Sequence, residues 1–191
     1  MSLTPSFGRA LLVAAVFVVG ATPALAQSPQ HHAADAVFMQ GMIGHHAQAL
    51  EMTALVVART SSSDIRLLAE RIDVSQTDEI AWMKQWLRER REPLPDPHAH
   101  HAAGHTAMPG MLSPAEMAEL AAARNADFDR LFLRFMIQHH EGALVMVAQL
   151  KATPGAGQEP ATAMFASEVD SDQRMEIARM RAMLNAFPDR E

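Results

Sequence analysis

The 191-residue chain has no cysteine and no tyrosine. The first absence excludes disulfide frameworks, thiolate zinc sites, iron–sulfur clusters, c-type haem attachment and cysteine nucleophiles together. Aromatics are few, with two Trp and eight Phe, and the formal net charge is −6. Base stacking therefore has few candidates and phosphate binding has the wrong field, so nucleic acid is not an expected partner. Sustained apolar/polar alternation is missing, which excludes a sheet of half-buried strands. One apolar run stands out, Ala10–Gly20, and it is too short to span a bilayer comfortably. Two residue types are abundant instead: 14 Met and 10 His.

Arg9, the Ala10–Gly20 run and the small-x-small triplet Ala24-Leu25-Ala26 have the order of a signal peptide over residues 1–26. The expected location is periplasmic or secreted, with no stable membrane insertion after cleavage. An oxidising compartment without cysteine leaves stability to packing, helped by metal. Residues 27–34 read as an N-terminal tail.

The rest of the chain repeats itself. Asp35–Ala54 (DAVFMQGMIGHHAQALEMTA) and Asp129–Ala148 (DRLFLRFMIQHHEGALVMVA) agree at 10 of 20 positions, at an offset of 94. A second block follows each: Ile72–Leu87 and Val169–Leu184 agree at 7 of 16 positions, at an offset of 97. Apolar residues recur at three and four, and Ala, Leu and Met dominate, so each unit reads as a helical hairpin. The first hairpin is expected over 35–91, with helices near 35–59 and 64–91. The second unit spans 113–191, with long helices near 127–152 and 161–187. It is preceded by a short helix at 114–124, where Ser113-Pro114-Ala115-Glu116 supplies the cap, the first-turn proline and the capping-box glutamate. Two hairpins burying one stripe each predict an all-α four-helix bundle over 35–187. Residues 92–112 carry several prolines with His98, His100, His101, His105, Met108 and Met111, and read as a linker.

On a helical wheel of about 100° per residue with Met42 at zero, His45 falls near −60°, His46 near +40° and Met52 near −80°. Met136, His139, His140 and Met146 repeat this arrangement. Gln76, Glu79 and Met83 share a face of the partner helix, as do Gln173, Glu176 and Met180. Imidazole binds many transition metals, but neutral thioether sulfur selects soft ions such as Cu(I) or Ag(I). Calcium and magnesium require oxygen ligands. The candidate metal ligands are therefore His45, His46, His139, His140, Met42, Met136, Met52, Met146, Met83 and Met180. Copper is the expected ion, Cu(I) by preference and Cu(II) at histidines. Glu79 and Glu176 either orient ligand histidines or bind metal themselves. Asp35, Asp129, Asp73 and Asp170 read as caps, surface groups or supports. A methionine stripe is also ordinary core material, and Met83, Met164, Met175 and Met183, taken singly, fit that description. His31, His32, His98, His100, His101, His105, Met108 and Met111 are candidates for accessory metal capture.

The motifs Met42-Ile43-Gly44-His45-His46 and Met136-Ile137-Gln138-His139-His140 carry a family resemblance. So do the Ala-Leu-x-Met that follows each and the blocks at Gln76–Ile80 and Gln173–Ile177. The chain resembles the exported family of unknown function, number three-zero-five, that includes CopM-like copper-binding proteins. That resemblance implies a ferritin-like four-helix bundle and periplasmic or secreted copper binding linked to copper tolerance.

The expected function is non-enzymatic: copper is sequestered, buffered or passed to other periplasmic copper-handling proteins, with a homo-oligomer as a further partner. Three alternatives stand beside it. A dinuclear iron or manganese oxidase needs Glu-x-x-His on two helices, but Met42, Ile43, Met136 and Ile137 occupy the positions three before the histidines. His140-Glu141 does not continue into a zinc-protease helix, because residue 144 is Leu. Haem held by His and Met fits by ligand type, and a metal-free helical interaction module is the remaining alternative.

Overall fold

A computed structural model describes residues 31–95 and 108–187. The signal peptide expected at 1–26 and the linker histidines His98, His100, His101 and His105 lie outside the described residues. Five helices are present: α1 (Ala33–Arg59), α2 (Ser63–Glu89), α3 (Pro114–Ala122), α4 (Asn125–Ala152) and α5 (Pro160–Asn185). Among the described residues there is no strand, so the fold is all-α.

Local chemistry sets the helix ends. α1 starts at Ala33, inside the expected tail, because His32 caps it. The His32 ring nitrogen accepts from the Ala34 N–H, and the Asp35 carboxylate accepts from the His32 N–H. Histidine is an unusual cap, so the usual Ser/Thr/Asp/Asn signal was absent. Ser113 and Glu116 form the expected capping box, with Pro114 in the first turn of α3. α2 stops at Glu89, two residues before the expected end, where Arg91 takes a positive φ of 60°.

α1 packs on α2, α4 packs on α5, and the two pairs meet through α1 and α4. The meeting is antiparallel, and a matching aspartate pins each end. Asp35, at the start of α1, accepts from the Gly157 N–H in the α4–α5 loop at 2.7 Å. Its repeat counterpart Asp129, at the start of α4, is hydrogen-bonded to the Thr60 side chain in the α1–α2 turn. Each hairpin thus holds the loop of the other.

The core has two apolar clusters. One joins the first half of α1 to the ends of α2 and α4 and the start of α5, around Met39, Met42, Met83, Trp86, Met146 and Phe165. The other joins the second half of α1 to the starts of α2 and α4 and the end of α5, around Met52, Ile72, Phe128, Phe132, Met136 and Met180. Between them lies a polar layer.

Candidate metal site

The polar layer is where the two His-His pairs meet. His45 and His46 of α1 and His139 and His140 of α4 are all fully buried, at 0% exposure. The His45 and His139 rings lie against each other with centroids 3.8 Å apart and planes tilted by 36°. His46 and His140 flank them, at 6.2 and 6.1 Å from their neighbours in sequence.

Each imidazole is held by Nε2. His45 Nε2 donates to the Pro109 carbonyl at 3.0 Å, and His139 Nε2 donates to the His45 carbonyl at 2.9 Å. His46 Nε2 donates to Glu79 Oε2 at 2.5 Å, and His140 Nε2 donates to Glu176 Oε2 at 2.6 Å. The oxygens only accept, so Nε2 carries the proton in every ring. In a neutral imidazole this leaves the lone pair on Nδ1. All four Nδ1 atoms are buried without a partner, as are both amide atoms of Gln76 and Oε1 of Gln173. Buried polar atoms are normally paired, and four matching unpartnered ring nitrogens in one layer suit a metal that takes the place of the missing partners. Glu79 and Glu176 act through the histidines: a carboxylate on Nε2–H fixes the ring and makes Nδ1 a stronger donor.

The electrostatics keep the inner rings uncharged. Burial, followed by the charge of His46, pushes the His45 pKa from 6.5 down to about 3. Burial, followed by the facing His45, holds His139 well below the usual histidine range. Both are therefore ready to ligate near neutral pH without first losing a proton.

The methionines divide between the clusters by a crossed rule. Met42 and Met83 of the first hairpin share the first cluster with Met146 of the second. Met136 and Met180 of the second hairpin share the other with Met52 of the first. Among the described residues, no three His, Asp or Glu side chains converge at metal-holding spacing. An ion bound in this layer would need sulfur to complete its coordination.

The remaining candidates are more scattered. His31 Nε2 donates to Glu92 Oε1 at 2.8 Å, its ring edge-on to Trp86, and His32 serves as the cap of α1. Met108 is half-buried against the first cluster, and Met111 is also half-buried. The end of the linker expected over 92–112 is packed: Gly142 lets Pro109 and Gly110 sit directly on α4, and the Gln48 amide pairs with both backbone groups of Leu112. Met164 and Met175 are not core filler, being 55% and 61% exposed on α5. Asp73 accepts from the Thr53 hydroxyl, and Asp170 pairs with Arg174 on the surface. The sequence pattern does not bring Pro109, Gln48 or Gly142 to the site. The one available signal was Gly142 inside a helix, where the first repeat has Gln48.

A family model described as "Domain of unknown function (DUF305)" matches residues 35–184. The chain is similar to the crystal structure of a DUF305 fragment from Deinococcus radiodurans: 32% identity, TM-score 0.70, covering 83% of this chain and all of that one. It is similar to a DUF305 protein from Streptomyces coelicolor at 28% identity and TM-score 0.69, covering 83% and 98% of the two chains. It is also similar to CopM in its Cu(I)-bound form at 28% identity and TM-score 0.62, covering 79% and 95%. CopM structures with Cu(II) and with silver match as well. A stretch of 57 residues is 40% identical to the uncharacterized protein L153 of Acanthamoeba polyphaga mimivirus, spanning 30% of this chain and only 38% of that protein.

Proposed function

The chain belongs to the DUF305 family, and from that membership we propose that it is an exported, non-enzymatic copper-binding protein. It sequesters, buffers or transfers copper and so contributes to copper tolerance. The four long helices are a ferritin-like bundle whose polar layer is the binding site. The signal-peptide pattern of residues 1–26 supports a periplasmic or secreted location, and no described helix is long and apolar enough to cross a membrane. Other periplasmic copper-handling proteins are the natural donors or acceptors, and a homo-oligomer is compatible with this role.

The observation that carries this proposal is the layer of four buried imidazoles. Each has Nε2–H committed to an oxygen and Nδ1 left free, with methionine clusters on both sides. Imidazole and thioether donors in a buried layer favour a soft monovalent ion. Cu(I) is the preferred cargo, with Cu(II) at accessory histidines. The solved Cu(I), Cu(II) and silver forms of CopM support the choice of metal.

The test is an anaerobic Cu(I) titration of the exported chain against a chromophoric chelator. Stoichiometric withdrawal of Cu(I), abolished when His45, His46, His139 and His140 are replaced together, is the expected result. Failure of the folded, methionine-reduced protein to compete would overturn the assignment.

A further inference from the structure

The two repeats build the site almost symmetrically, but one element has no counterpart. The stretch Met108–Leu112 lies across the α1–α4 contact and is held at three places. Pro109 offers its carbonyl to His45. Leu112 pairs through both backbone groups with the Gln48 amide, at 2.8 and 2.9 Å. Gly110, at φ +75°, sits against Gly142 of α4. A Cβ on Gly142 would fall 2.0 Å from the Pro109 oxygen, so only glycine admits the strap.

This seating puts a sulfur at the first methionine cluster. Met108 Sδ lies 3.5 Å, and the Met146 methyl 3.3 Å, from the point where a Cβ on Gly41 would be. The Met108 methyl lies 3.4 Å from the corresponding point on Gly44. Two thioethers therefore converge over one glycine-lined patch of α1, beside Met42 and Met83. The repeat positions of Gly41 and Gly44 on α4 are Phe135 and Gln138. Their larger side chains replace the open patch on that helix.

We propose that Met108 Sδ is a further thioether ligand for a soft monovalent ion, Cu(I) or Ag(I), at the Met42/Met83/Met146 half of the layer. The strap then makes the two repeat-related half-sites unequal, the strapped one binding more tightly. This rests on the metal-binding function proposed above and adds a ligand and an order of filling to it.

The test uses the full exported chain labelled with methyl-13C methionine and titrated with Ag(I), with Met108→Leu assigning the Met108 signal. The Met108 methyl is expected to shift with the first equivalent, ahead of Met52, Met136 and Met180. Met108→Leu should lower the tighter Ag(I) affinity by at least about tenfold and leave the weaker one unchanged. If Met42 and Met146 shift while Met108 does not, and Met108→Leu leaves both affinities intact, the added ligand is refuted and the metal site survives. If no methionine methyl shifts and no Ag(I) is retained, the proposed function falls as well. Should Met108→Leu fold poorly, Met108→Ile assigns the signal in its place, and the wild-type Met108 shift then decides the matter.

Discussion

His139 donates its Nε2–H to the backbone carbonyl of His45, 2.9 Å away, across the α1–α4 contact. The two residues occupy the same place in the two repeats, yet the bond runs one way. His45 does not return it to the His139 carbonyl but donates to Pro109 instead. The repeat is thus symmetric in its side-chain types and asymmetric in what orients them. Each inner ring depends on a carbonyl that another segment must deliver, whereas each outer ring depends on a glutamate of its own hairpin.

Burial of the inner rings sets a pH dependence. His45 and His139 are neutral when folded and take up protons near pH 6.5 when unfolded. The unfolded chain therefore binds more protons below this value, and stability falls as pH drops. The metal-free protein should lose on the order of 1.4 kcal/mol per pH unit for each such histidine, from about pH 6.5 downward. For His45 the loss continues toward its folded value of about 3. Urea unfolding at a series of pH values checks this, and replacing His45 with a neutral residue should flatten the slope. A stability that is level between pH 6.5 and 4.5 would contradict it.

The outer rings give a prediction about affinity. Glu79→Gln keeps an acceptor near His46 but removes the charge that strengthens Nδ1. Cu(I) affinity should fall by roughly 10- to 100-fold in one class of site, with helicity unchanged by circular dichroism. Glu176→Gln should do the same to the other class through His140. Equal weakening of both classes by either variant would mean that the two half-sites are a single unit.

Much of this was legible in the sequence for a physical reason. A buried helix face imposes a period near 3.6, and a duplicated unit imposes it twice, so His45/His139 and Met42/Met136 declared themselves by position. The crossing of Met52 and Met146 into the opposite clusters was not legible, because it depends on how the hairpins meet. Nor was the seating of Met108 or the choice of Nε2 as the proton-bearing nitrogen. The inner rings and the strap are set by backbone groups of distant segments, which no residue identity encodes, and the outer rings by which oxygen each glutamate presents. His32 as a helix cap was missed because its side chain is rarely used that way.

The paired aspartates should respond in opposite senses to removal of their charge. Asp35 accepts from two backbone N–H groups, those of His32 and Gly157. Asp35→Ala strands the buried end of that loop and should cost about 1–3 kcal/mol. Burial raises the Asp129 pKa above its ordinary value, and one of its oxygens has no partner. A raised carboxyl pKa opposes folding once the group ionises, so Asp129→Asn should stabilise the protein near neutral pH and have less effect in acid. Thermal melts of both variants at pH 7 and pH 4 separate the two cases.

Gly142 tests the strap by stability alone. In a helix interior alanine is worth up to about 1 kcal/mol over glycine, so an unencumbered site would gain from Gly142→Ala. Here the new methyl would meet the Pro109 oxygen at 2.0 Å and the Gly110 Cα at 2.6 Å. Either the strap lifts or α4 shifts, and a net loss of about 1–3 kcal/mol is expected. A raised melting temperature would mean that Pro109 and Gly110 do not rest on α4 in solution.

Metal choice follows from charge. The donors available within the layer are uncharged: the neutral His45 and His139 rings and the buried thioethers. Glu79 and Glu176 reach the site only through Nε2 of His46 and His140. Desolvating an ion without a counter-charge is costly, and the cost rises with the square of the charge. A divalent ion such as Zn(II) would meet that penalty with soft sulfur in place of the oxygen or thiolate it prefers. A monovalent soft ion meets the smaller penalty and the matching donors. Zn(II) at a hundredfold excess should therefore displace no Cu(I) from the folded protein, whereas Ag(I) should displace it in stoichiometric proportion. Elemental analysis after desalting reads both exchanges. Displacement of Cu(I) by Zn(II) would show that carboxylates, not methionines, complete the coordination.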